Sequence, residues 1–389
     1  MLLLDKKRAG GSLCAALALA ACLSGLAVST PQAHKGATSP YSYNEHVFPI
    51  FRDRCGRCHM PDGPTPMSLV TYEDAKPWAE SIREHLLAES MPPWYVDPTG
   101  PPVRGGHLIS PKELDILLTW AVGGAPEGDV TKRPATHTTA VEWRAGRPDV
   151  TLTLDTHVLG AGKTEDTHEF TVSTGLREET WIKAVDLLPG VPSMVRDAVV
   201  ALDQGPVLAV WMPGSDPTPT PGGTAFRLPA GARLRVTMHY RKQWQDEQNE
   251  RSDRSTVGLY FTDPPVTGRA IQTVSFDGTP NDAASNPGPS TFGGTLTEAA
   301  RVLAIRPRID QVYGSMAIDA VLPSGRRLAL LRLHAPRPGW DRRYWLADPM
   351  ELPKGAKIEV AAVPLPPGVA VVAAPKGSPL QVNLDFIAM

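Results

Sequence analysis

Cysteine is scarce in this sequence: there are four in 389 residues, and none beyond Cys58. That excludes a disulfide framework for the long C-terminal part, which must stand on apolar packing alone. An excess of one charge is also missing. The formal net charge is −2, whereas a nucleic-acid binder carries a basic surplus, so nucleic acid is excluded as a partner. Past the N-terminus no stretch reaches the roughly eighteen apolar residues that a membrane span needs. No GxSxG, HExxH or phosphate-loop pattern stands out, so the common hydrolase, zincin and nucleotide signatures are absent. Forty prolines and 34 glycines are present, however, spread between alternating apolar runs. Short strands joined by turns give that composition, and the length calls for two or three domains.

The first 33 residues read as an export signal and the start of a tether. Lys6, Lys7 and Arg8 form a positive n-region and "LCAALALAA" (Leu13 to Ala21) an apolar core. "LAAC" (Leu19 to Cys22) resembles the bacterial lipobox, which makes Cys22 a lipidation candidate. Simple cleavage after Ala27 is the alternative. Either route places the protein outside the cytoplasm, in the periplasm, and lipid on Cys22 would anchor it to the outer membrane.

"DRCGRCHMPDG" (Asp53 to Gly63) carries the strongest chemical signal. C-x-x-C-H is the attachment signature of c-type haem. Cys55 and Cys58, three positions apart, can each add to one vinyl group on a single porphyrin edge. His59 is then adjacent as the proximal iron ligand. A redox or zinc pair is the competing reading; an exported setting weakens it, and the sequence has no second cysteine pair to complete a zinc site. Upstream, Val47, Ile50, Phe51 and Arg54 fall at helical spacing, with Pro49 set to kink the run. Trp78, Ile82, His85 and Leu86 mark a middle helix over about 77–89. Ser110 and Glu113 form a capping box with Pro111 at the first helical position, and Leu114, Leu117, Leu118 and Ala121 give that helix one face. Gly123 and Gly124 stop it. Helices before and after the motif are similar to the class I cytochrome c fold, so residues 42–128 are expected to form an all-α domain of that kind. For the sixth iron position Met91 in "ESMPPWY" is the candidate, a soft donor placed directly after the middle helix. Met67, His85 and His107 are its rivals. Met60 is too near His59 to reach the opposite face.

After a linker over 129–145 the period changes from helical to two. "DVTLTL", "HEFTVS", "ETWIKAVDLL", "VLAVWM", "ARLRVTMHY" and "TVGLYFT" alternate apolar and polar residues within 146–277. A turn-rich connector over 278–298 leads to a second strand set over 299–389, with "RVLAIR", "GSMAIDAVL", "RLALLRLH" and "AKIEVAAV". Two antiparallel, jelly-roll-like β-sandwiches are expected.

"CHMPDGPTPMSLVTYEDAKPWAESI", "VWMPGSDPTPTPGGTAFRLPAGARLRVTMHY" and "RPRIDQVYGSMAIDAVLPSGRR" occur in this order. The arrangement resembles bacterial exported proteins in which a cytochrome c domain is fused to a double sandwich like that of the copper type II, ascorbate-dependent monooxygenases. The resemblance covers nearly the whole mature chain. It implies one copper on each sandwich, held largely by imidazoles. Where it places the first His pair this chain has Arg196 and Asp197, and only the third position, His239, keeps a ligand. The second pair is replaced by Arg308 and Asp310. A guanidinium stays protonated and cannot ligate a metal, so copper is not expected. His239 also reads as a hydrogen-bonded cleft residue. His107, His137, His157, His168 and His334 are scattered and read as structural or exposed.

The sequence therefore points to one covalent haem c in an exported electron carrier. Redox proteins would be its partners and the sandwiches its scaffold or docking module. A copper monooxygenase fed by the haem is the alternative. A ligand-binding sandwich pair with the haem as sensor is a third reading.

Overall fold

In the computed structural model the described residues are 38–65, 67–93, 96–105, 109–135, 142–279, 288–339, 341–365 and 379–389. The export signal, Cys22, His107 and His137 lie outside them. Ser39–Met389 forms a single compact unit.

Its helical layer is small and broken. Pro49 has no N–H to give to the turn before it. The chain there adopts two five-residue π turns, Tyr43–Val47 and Phe51–Cys55, around a three-residue α turn, Phe48–Ile50. The N–H of Phe48 reaches the carbonyl of Tyr43, and that of Gly56 reaches Phe51 at 2.6 Å. The apolar stripe survives this widening: Tyr43, Val47, Phe48, Ile50 and Phe51 are all buried. The Ala79–Leu87 helix buries Ile82 and Leu86, and the Pro111–Val122 helix buries Ile116, Leu117 and Trp120. The capping box closes as drawn from sequence: the Ser110 hydroxyl accepts from the Glu113 N–H at 3.2 Å, and the Ser110 N–H donates to Glu113 Oε2 at 2.7 Å. Trp120 meets Phe51 edge-on at 6.0 Å and donates through Nε1 to the Pro126 carbonyl.

The rest is β-structure. The first strand block runs β1 (Val150–Thr153), β2 (His157–Leu159), β3 (Glu165–Ser173), β4 (Thr180–Leu188), β5 (Val195–Leu202), β6 (Val207–Trp211), β7 (Phe226–Leu228), β8 (Arg233–Arg241), β9 (Arg251–Asp253) and β10 (Thr256–Thr262). These form sheets ordered β1-β10-β4-β7 and β3-β8-β5-β6, with a β2-β9 ribbon. The second block runs β11 (Gln272–Asp277), β12 (Ser290–Thr295), β13 (Ala300–Arg308), β14 (Tyr313–Val321), β15 (Arg327–His334), β16 (Tyr344–Leu352), β17 (Lys357–Pro364) and β18 (Gln381–Ala388). Its sheets are ordered β11-β18-β13-β16 and β12-β17-β14-β15. Setting aside the ribbon, both blocks follow the strand order of an eight-stranded jelly roll. Period-two alternation fills the cores: in β8, Leu234, Val236, Met238 and Tyr240 are buried, while Arg235, Thr237 and His239 lie on the opposite face. The first core also takes in Leu303, Trp345 and Ile387 of the second block, so the two sandwiches pack against each other.

The fold-class expectation is corrected by these observations. Among the described residues the molecule is predominantly β, its helices are short, and no all-α class I cytochrome c domain is present. Two physical causes act together. Pro49 prevents a continuous helix ahead of the motif. The proline-rich run after Met91 is drawn out onto the second sandwich, where Val96 bridges to Leu333 and Val103 to Leu346. The Asp97 N–H reaches the Arg332 carbonyl at 3.0 Å and the Arg104 N–H reaches Trp345 at 2.7 Å. The helices share an apolar core, but they are a layer laid on the sandwiches.

Candidate functional site

The turn that ends the Phe51–Cys55 segment gathers the motif. The N–H groups of Cys58 and His59 both bond to the Cys55 carbonyl, at 3.1 and 2.9 Å. The chain then folds back on itself, with the Leu69 N–H on the His59 carbonyl at 3.0 Å. Thr65 Oγ1 donates to the carbonyls of Cys58 (2.9 Å) and Met67 (3.0 Å). His59 Nδ1 lies 3.3 Å from the Met67 carbonyl. A carbonyl can only accept, so Nδ1 carries the proton and Nε2 keeps its lone pair. Burial pushes the imidazole below its ordinary pKa, against a weaker pull from the Met67 carbonyl. A neutral ring with one nitrogen pinned and the other open is the form in which histidine binds a metal.

Cys55, Cys58 and His59 open onto a cavity of about 570 Å³, within the usual range of about 300–1,000 Å³ for cofactor pockets. His85, Met91, Leu114 and Leu117 line it from the helical layer. The first sandwich contributes Leu208 to Thr218 and Phe226, and the second contributes Arg342, Arg343 and Trp345. Both cysteines are free thiols and half-buried. Burial raises Cys55 to about 12, helped by Cys58, and raises Cys58 to about 11. Cys58 Sγ donates to the Pro213 carbonyl at 3.1 Å. Next to it Gly214 has φ +78°, and a Cβ there would stand 2.8 Å from the same sulfur. Arg57 fastens this loop through Asp216 at 2.5 Å.

The structure thus brings six of the sequence candidates, Cys55, Cys58, His59, Met67, His85 and Met91, to one cavity. Met91 is 39% exposed and faces it. His85 also does, with Nδ1 at 2.7 Å from the Ser90 hydroxyl. That hydroxyl donates to the His85 carbonyl at 3.1 Å, so it accepts from Nδ1–H and leaves Nε2 open. Met67 lines the cavity as well, while its carbonyl is committed to His59.

His239 is arranged differently. Its Nδ1 lies 2.9 Å from Asp197 and its Nε2 2.6 Å from Glu165. Burial lowers its pKa, but the hydrogen bonds and charges of the two carboxylates outweigh that, and the net shift is upward. Asp310 accepts from the Tyr313 hydroxyl at 2.8 Å. Among the described residues no group of three His, Cys, Asp or Glu side chains is gathered as for a metal ion.

Sequence reasoning missed several partners. Asp197 pairs with His239 and not with Arg196, which turns to the Pro64 carbonyl instead. His157 and His168, read as scattered, stack at 4.5 Å, and His157 also stacks on Tyr240 at 4.7 Å. His334 pairs with Glu89, tying β15 to the end of the Ala79–Leu87 helix. The one local hint was Gly214 within a Pro/Ser/Asp turn.

No family model and no curated protein matches the chain. Solved structures give distant likenesses. An allantoicase is 9% identical, with 59% of this chain on 79% of that one and a TM-score of 0.20. A Paenibacillus xanthan lyase is 11% identical over 61% of this chain and 25% of its own, at 0.19. The 7S globulin of Momordica charantia is 12% identical over 60% and 78%, at 0.15. Likenesses at that level carry no argument about fold or function.

Proposed function

We propose that the protein is an exported mono-haem c-type cytochrome that transfers electrons to and from redox partner proteins. The β-sandwich pair acts as the scaffold that closes the haem cavity. The observation that carries this reading is the convergence of Cys55, Cys58 and an open-sided His59 on one largely apolar cavity that also holds Met91. The donor set fits the group: two thiols three residues apart, a neutral imidazole, and a thioether facing the same space. Cys55 and Cys58 would hold the porphyrin edge covalently, His59 would be the proximal ligand and Met91 the distal one. When bound, the haem supplies a one-electron couple of its iron.

The chain's own contribution is to fix and shield that couple. Thr65 and Met67 hold His59 in one tautomer. Leu114, Leu117 and Phe226 keep water from the cavity, and the Trp211–Thr218 loop covers the Cys58 side. A thioether ligand and an apolar wall both favour the reduced form, which suits a carrier of raised potential. His85 is the second reading for the distal ligand, favoured by its Ser90 hydrogen bond, and would lower the potential.

The test is a pyridine haemochrome spectrum with iron and copper quantification on protein matured by a c-type haem attachment system. One haem and one iron per chain, reversibly reducible, are expected. Stoichiometric copper with ascorbate-dependent hydroxylation would replace this reading with the monooxygenase.

A further inference from the structure

Arg54, Arg57, Arg196, Arg342 and Arg343 all border the cavity. Three of them have carboxylate partners: Arg54 with Glu113 at 3.1 Å, Arg57 with Asp216 at 2.5 Å, and Arg343 with Asp385 at 2.7 Å. Arg196 does not. Its bonds run to two main-chain carbonyls, Pro64 and Arg241, and among the described residues no carboxylate lies within ion-pair distance of it.

The backbone explains why this side chain points where it does. The pairing of β5 with β8 slips between Val195 and Asp197, so Arg196 is the extra residue of a bulge. A bulge re-aims a side chain out of the regular alternation. Asp197 returns to register beside His239, and Arg196 swings toward the loop that follows the C-x-x-C-H motif. Burial lowers its pKa to about 10 and neighbouring Arg241 adds to the effect, against a weaker opposing pull from Glu165. A half-buried cation whose hydrogen bonds go only to carbonyls, with Glu165 attracting it from beyond ion-pair distance, is costly to hold, and a well-placed anion offsets part of that cost. A guanidinium retains donors for a carboxylate after two carbonyls are served.

We propose that Arg196 receives a haem propionate, so that the first sandwich binds the cofactor's acidic edge while Cys55 and Cys58 hold its vinyl edge. This rests on the haem reading above. It gives a purpose to the residue that stands where the copper-enzyme resemblance expects an imidazole. The sandwich is then part of the cofactor site, and the haem bridges two layers of the fold.

The experiment compares wild type, Arg196→Gln and Arg196→Lys after haem attachment, by resonance Raman spectroscopy and redox titration. Removing the positive charge in Arg196→Gln lowers the midpoint potential and shifts the propionate bending mode to lower frequency. Arg196→Lys keeps the charge and loses the fork, so it retains most of the potential while the bending mode still shifts. Haem-loaded variants with wild-type potential and an unmoved propionate mode overturn the Arg196 assignment and leave the haem reading intact. Absence of haem from all three proteins overturns both.

Discussion

Two histidines in this molecule are both held by hydrogen bonds, and the contrast between them separates an imidazole with a nitrogen left open from one with both nitrogens engaged. His59 has one nitrogen on a carbonyl and the other open to an apolar cavity. His239 has a carboxylate on each nitrogen. A carbonyl fixes the tautomer and leaves a lone pair for a metal, whereas two carboxylates call for a proton on both nitrogens. The same side chain therefore keeps one nitrogen open in one layer and braces two carboxylates in the other.

The sharpest way to break that contrast is to remove the anchor beside His59. Replacing both Cys55 and Cys58 by alanine is expected to abolish covalent haem, while His239→Gln leaves haem content at the wild-type level; a haemochrome assay reads both. If His239→Gln also lost the haem, the division between the two sites would be wrong. Met91→Ala should come next in size. The reduced spectrum is expected to pass from six-coordinate low-spin to five-coordinate, and an unchanged spectrum would transfer the distal role to His85.

Packing behind the site gives a third measure. Trp120 is fully buried between Phe51 and Tyr43, so Trp120→Ala should cost about 3–5 kcal/mol by chemical denaturation. A loss below about 1 kcal/mol would mean that the helical layer is not tightly packed.

The smallest effect concerns His239. Its folded pKa is raised, so its ion pairs contribute full stability below the unfolded value of about 6.5. That contribution is lost as pH rises through the raised pKa. Urea midpoints of wild type and His239→Gln should therefore differ most on the acid side of about pH 6.5 and converge in alkali. A gap that widens with pH would contradict the charged-brace assignment.

Much of the local structure was readable from residues near one another. The Ser110–Glu113 box is a four-residue pattern, and it formed. The alternation of Leu234, Val236, Met238 and Tyr240 is likewise local. The buried face of the Pro111–Val122 helix was only partly legible. Leu117 was placed correctly and is fully buried, and Leu114, Leu118 and Ala121 pack partly buried on the same core, but Ile116 and Trp120 are buried there too, and the Phe51 ring that meets Trp120 comes from a segment no local signal encodes. The class I cytochrome c expectation failed for a related reason. The segment after Met91 finds its partners in Leu333, Arg332 and Trp345, far along the chain. Arg196 was illegible because a bulge exists only once β5 and β8 are paired. The Cys58–Pro213 bond, spanning 155 residues, was beyond local reading too.

The central claim is tested most directly by an intact-mass measurement on exported protein from a host with c-type haem attachment enzymes, followed by thiol titration of the unfolded chain. The account predicts a mass raised by one haem and no titratable thiol at Cys55 or Cys58. A full yield of unmodified mass, with both thiols reacting, would contradict it.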